Sequence, residues 1–155
     1  MKSLASTLLA AAALLIAQAP ASLHAHCQVP CGIYGDELRF QAMLEDQSTI
    51  AKAGAEVAKL VAGESSALSA NQIARWVVTK EEHAQKIQDT IAAYFMAQRI
   101  KADDPQYTAK LTAAHKVMTA AMKAKQDPSG EVAEALKTAI LDFYRAYEGK
   151  EPSFE

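Results

Sequence analysis

Between Asp36 and Tyr147, apolar residues return every three or four positions, in four runs separated by short polar breaks. That spacing stacks side chains on one face of an α-helix, and no run alternates in twos as a half-buried strand would. The first run covers about 36–62, with Phe40, Met43, Gln47, Ile50, Gly54, Val57 and Val61 on its stripe. The second, about 70–101, places Ile73, Val77, Lys80, Ala84, Ile87, Ile91 and Tyr94 in line, flanked by Trp76 and Phe95. The third, about 105–125, carries Leu111, Ala114, Met118 and Ala121 or Met122. The fourth, about 130–147, carries Val132, Leu136, Ala139 or Ile140, Phe143 and Tyr147. Four amphipathic helices joined by short breaks favour antiparallel neighbours, hence an all-α, up-down-up-down four-helix bundle over residues 35–148. Residues 149–155 read as a loose tail.

The breaks carry their own punctuation. Ser66 or Ser69 can cap the second helix after Gly63. Pro105 suits a first helical turn, and Asp104 can accept the orphan amide hydrogens there. Asp127-Pro128-Ser129-Gly130 ends the third run. Trp76, Tyr94, Phe95, Phe143, Tyr144 and Tyr147 lie at or beside stripe positions, which makes core or subunit packing their expected role. His83 is expected on a solvated helix face and His115 at the surface or half-buried.

A chain of 155 residues can bury one proper core. Its net charge of −2 comes without a basic patch, so nothing indicates nucleic acid as a partner. The first residues are of another kind. Lys2 gives a short positive start, Leu8 to Ala17 is an apolar stretch, and Pro20 with small residues follows. This is the pattern of a secretory leader, and a span of the bilayer needs about 20 apolar residues. We therefore expect residues 1–25 to be removed, export to a periplasmic compartment, and no stable membrane association afterwards. A leader acting only as a propeptide would leave the protein cytoplasmic. Small residues favour a cut after Ala21, whereas a cut after Ala25 makes His26 the new N-terminus.

Residues 26–34 (His26-Cys27-Gln28-Val29-Pro30-Cys31-Gly32-Ile33-Tyr34) belong to no helix and hold both cysteines of the chain. Pro30 and Gly32 favour a compact bend. A free amine on His26, the Cys27 amide and the Cys27 thiolate can close two fused five-membered chelate rings. Cys31 returns around the bend with a second thiolate. Four such donors in a plane suit nickel(II) or copper(II) rather than tetrahedral zinc. The His26 imidazole can reach the axial position. Thiolates and a deprotonated amide stabilise a higher oxidation state, as one-electron chemistry with superoxide requires.

The motif His26-Cys27-x-x-Pro30-Cys31-Gly32-x-Tyr34 resembles the nickel hook of the nickel-dependent superoxide dismutases, in which it opens the mature chain ahead of a four-helix bundle. The resemblance implies a catalytic nickel ion bound by the His26 amine and imidazole, the Cys27 amide and thiolate, and the Cys31 thiolate. It also implies that Tyr34 stands beside the open face of the metal, that superoxide is the substrate, and that the protein assembles as a homohexamer. Partners for the axial imidazole would come from the helices, with Glu45, Glu81, Glu82 and His83 as candidates. Tyr94 could support the hook, although nothing in its spacing says so.

Two other readings fit the same residues. An exported protein commonly oxidises a cysteine pair, so Cys27 and Cys31 could close a disulfide. The same hook could equally serve an exported copper- or nickel-binding carrier without turnover. A di-iron bundle would need Glu three residues before His on two helices, and Lys80 and Thr112 occupy those places.

Overall fold

A computed structural model describes residues 35–154 of the chain. Helix α1 spans Glu37–Ala62 and α2 spans Ala67–Asp89, which runs on into a π-helical segment, Thr90–Arg99. Helix α3 follows at Tyr107–Gln126 and α4 at Gly130–Glu148. These are the four expected runs in an all-helical fold, with boundaries shifted by a few residues. Ser66 caps α2 in a reciprocal box with Ser69, each side chain bonding the other's backbone amide. Before α3 the Asp104 carboxylate accepts from the Gln106 amide at 2.7 Å, and the helix proper begins two residues after Pro105.

The core is graded along its length. At the end where α1 begins it is aromatic. Phe40 packs against Phe95 (4.9 Å between centroids), Phe143 (5.2 Å) and Tyr144 (5.0 Å), and Phe95 meets Tyr147 at 5.2 Å. Rings at these separations and tilts add to the area they bury. Toward the other end small residues take over, with Ala53, Ala121, Ala124 and Ala133 buried and the helices correspondingly close. Val117 and Ala124 in α3 and Ala133 in α4 are buried although the expected stripes omit them. Met122 is 44 % exposed, which settles that choice for Ala121.

Two residues at the alanine end explain how the helices close there. Lys80 is buried, and its ammonium donates to the carbonyls of Ala124 (2.7 Å) and Lys125 (2.5 Å) at the end of α3. A charge on the core stripe is thus satisfied by the orphan carbonyls and negative dipole end of a neighbouring helix. Gly54 faces the turn between α3 and α4. A Cβ there would run into the Pro128 carbonyl oxygen, with its carbonyl carbon at 3.1 Å.

Beyond Gly54 and Lys80, α1 and α2 continue as a two-helix projection in which no residue from 58 to 79 is buried. Val61 (67 % exposed) and Val77 (37 %) therefore leave the core stripes on which their spacing placed them. The spacing is helical, but α3 and α4 do not extend far enough to cover it. At the opposite end the residues after Gly149 are not loose. Phe154 packs edge-on against Tyr144 with ring centroids 5.0 Å apart, and Glu151 pairs with Arg145 at 2.8 Å.

Gly54→Ala should destabilise the protein by about 1–3 kcal/mol in urea unfolding, although alanine is the better helix former by about 1 kcal/mol, because the close approach of Pro128 cannot relax without moving the turn.

Candidate functional site

His26, Cys27, Cys31 and Tyr34 lie outside the described residues, as do the leader and the Ala25–His26 bond. What the structure describes is the platform from which the hook departs. It opens at Gly35, whose φ of +82° is a left-handed conformation that residues with a Cβ rarely adopt. Asp36 follows at the N-cap of α1, but its side chain makes no capping bond. It turns into the aromatic end of the bundle instead.

There the carboxylate collects four donors. The Tyr94 hydroxyl donates to Oδ1 at 2.5 Å. Arg99 donates to Oδ2 through Nε (2.9 Å) and Nη2 (2.7 Å), and the Tyr147 hydroxyl reaches the same oxygen at 2.5 Å. The Asp36 side chain is 7 % exposed. One carboxylate therefore ties the start of α1 to the π-helical segment and to the last turn of α4. Lys110 adds α3, with its ammonium 5.1 Å from the centre of the Tyr147 ring and 2.6 Å from Asp104. On the outer side the Arg39 guanidinium lies 4.9 Å over the Tyr94 ring. Both line a groove of about 310 Å³ with Asp46, Lys86, Asp89 and Thr90.

The π-helical segment makes this meeting possible. In an α-helix, residues five apart point about 140° away from each other. In a π-helix the bonds run from residue i to i+5, as the Ile100 amide does to the Phe95 carbonyl at 2.8 Å. Residues five apart then share a face. Tyr94 and Arg99 both reach Asp36, and Phe95 and Ile100 both enter the core. Sequence spacing gave no reason to join Asp36, Tyr94, Arg99 and Tyr147. Tyr94 and Arg99 fall five apart, which an α-helical reading sends to different faces.

Electrostatics follow from the packing. Burial pushes the Asp36 carboxyl up, but the hydrogen bonds from Tyr147, Tyr94 and Arg99 and the guanidinium charge outweigh it, leaving it below the ordinary 3.8. Burial and the bond to Asp36 push both phenols upward, Tyr147 the more strongly. Both tyrosines therefore stay protonated as donors across the physiological range.

The candidates for a partner to the axial imidazole are spread along the bundle. Glu45 and Glu82 are exposed, and Glu81 pairs with Lys80 at 3.1 Å at the alanine end. The solvated face expected for His83 is not observed. Its ring is half-buried between α1 and α2, with Nδ1 at 2.6 Å from Asp46 Oδ1. Asp46 lies ten residues along α1 from Asp36, a distance of about 15 Å. His115 is exposed.

Among the described residues no three His, Cys, Asp or Glu side chains converge to hold a metal ion. Both Asp36 oxygens are engaged in hydrogen bonds, and His83 is engaged with Asp46. Both cysteines precede Gly35. Thiolates with imidazole nitrogen are a donor set suited to nickel, and in this sequence His26, Cys27 and Cys31 offer those side chains within six residues.

Because Asp36 sits below its unfolded value, its stabilising contribution is present above about pH 4 and is lost as pH falls through the folded value. Wild-type protein should therefore lose its stability advantage over Asp36→Asn when urea unfolding is repeated at about pH 2 rather than about pH 6.

No curated protein and no solved structure matches the chain. The family model for nickel-containing superoxide dismutase matches residues 21–151, a range that takes in the hook, the Asp36 platform and all four helices. The chain thus belongs to the nickel-containing superoxide dismutases, which are oxidoreductases with nickel as their cofactor.

Proposed function

We propose that this dismutase holds a single nickel ion in the hook of residues 26–34, after the leader has been cut between Ala25 and His26. The ligands would be the His26 amine and imidazole, the Cys27 amide and thiolate, and the Cys31 thiolate. Nickel bound there supplies one-electron chemistry between its divalent and trivalent states, so that two superoxide anions and two protons give one dioxygen and one hydrogen peroxide. The anionic thiolates and amide bring the potential into the range that superoxide can both reduce and oxidise. The His26 imidazole would add a further nitrogen donor. Tyr34, by the family resemblance, would stand beside the nickel and limit entry to small ligands. Protons come from water or a thiol near the hook. The Tyr94 and Tyr147 hydroxyls are committed to Asp36 and are poor proton donors.

The observation that carries this reading is the family match running through His26 to Tyr34, in a chain whose two cysteines both fall in that stretch. The bundle offers no competing cluster of ligands among its described residues. Export through the leader and assembly as a homohexamer belong to the same proposal. Leu68 (70 % exposed) and Val78 (53 %) on the α1–α2 projection are in keeping with burial between subunits.

Mass spectrometry of the native protein should find His26 at the N-terminus and about one nickel per chain by elemental analysis. Cys27→Ser and Cys31→Ser should each abolish both nickel retention and superoxide consumption while leaving helical circular dichroism unchanged. Full activity in a chain that begins at Ser22 would overturn coordination through the His26 amine. Tight nickel binding without turnover would make the protein a carrier instead.

A further inference from the structure

We infer that Asp36 is a positioning residue for the nickel hook, fixing its root to the bundle through Tyr94, Arg99 and Tyr147. The inference rests on the hook reading above. Its support is the location and hydrogen bonding of the carboxylate. Asp36 is five residues from Cys31, and an extended chain spans at most about 3.6 Å per residue. The Cys31 backbone is therefore tethered within about 18 Å of Asp36, at the aromatic end of the bundle, and Tyr34 within about 7 Å. Between Tyr34 and Asp36 stands only Gly35, with its left-handed φ of +82°.

Four hydrogen bonds engage the two Asp36 oxygens, one at Oδ1 and three at Oδ2. The group is neither a free base nor a spare ligand. It could have capped α1, as an aspartate at that position commonly does, yet it makes no capping bond and spends its charge on three residues from two other helices. Those donors are themselves held. Arg39 covers Tyr94, Lys110 covers Tyr147, and the π-helical turn brings Arg99 and Tyr94 to the same carboxylate. A chelate made from consecutive backbone and side-chain atoms has no stiffness of its own beyond its rings. Its orientation toward the protein depends on where the chain that follows is anchored, and among the described residues the first such anchor is Asp36.

The test uses nickel-loaded full-length mature protein and four variants: Asp36→Asn, Tyr147→Phe, Gly54→Ala and Cys31→Ser. Nickel release to excess EDTA and the electron paramagnetic resonance spectrum of the oxidised protein are measured beside activity and thermal unfolding. Asp36→Asn should release nickel about tenfold faster than wild type and broaden or shift the spectrum, since loss of a supporting bond around ligands typically costs 10–100-fold in metal affinity. Tyr147→Phe removes one donor while keeping the carboxylate, and should show the same changes at about threefold, so the inference can be judged even if Asp36→Asn folds poorly. Gly54→Ala lowers stability some 27 Å along α1 and should leave both nickel readouts as in wild type. Wild-type release and spectrum in Tyr147→Phe and folded Asp36→Asn, with Cys31→Ser free of nickel, would overturn the positioning role alone. Equal loosening in Gly54→Ala would reduce it to general stability. Nickel retained by Cys31→Ser would overturn the hook reading and this inference with it.

Discussion

A carboxylate withdrawn from water has to find hydrogen-bond donors for both of its oxygens, or the fold that buries it is penalised by several kcal/mol. At Asp36 that requirement is met by Tyr94, Arg99 and Tyr147, which come from two separate stretches of chain 58 to 111 residues away. Apolar area and ring stacking between Phe40, Phe95 and Phe143 supply the bulk of the cohesion at this end. Rings, however, tolerate sliding. The charged node does not, because its hydrogen bonds are directional and charge-assisted. It therefore sets the rotation of the π-helical segment and of α4 relative to the start of α1.

The two ends of the bundle are built for different purposes. At the alanine end, Gly54 against Pro128 and Lys80 on the last carbonyls of α3 allow the helices to approach closely with little side-chain volume. Past that point α1 and α2 have only each other. The aromatic end instead carries bulk, charge and the departure point of the hook. A single carboxylate there links the catalytic segment proposed for residues 26–34 to the aromatic core of the fold.

Much of the helical layout was legible from the apolar period, because burial of one face is what fixes a helix in a bundle. The Ser66–Ser69 cap and the Asp104 bond before α3 were legible too, since capping is a local matter of a few residues. Lys80 was placed on its stripe correctly, although its reason for being there required knowing where α3 ends. The misreadings have one cause. Val61 and Val77 lie on good stripes that nothing covers, and His83 meets Asp46 across a helix pair. Period along one helix does not say how long its neighbours are. The family was legible without any fold, because the motif from His26 to Tyr34 that carries the resemblance is a local signature of residue type and order. The node at Asp36 was not, because it depends on the π-helical turn, for which Thr90 to Arg99 carries no compositional mark.

That turn has a consequence for what a sequence of this kind can lose. A π-helix packs more residues into each turn than an α-helix does, so the segment from Thr90 to Arg99 contains surplus chain. Removing one residue there would let the stretch relax into ordinary α-helix, a local gain for the backbone. Every side chain of the node would still be present. Arg99 would simply come round on another side, with Asp36 left facing the empty place. In this fold, the count of residues between two contacts carries as much information as the residues that make them.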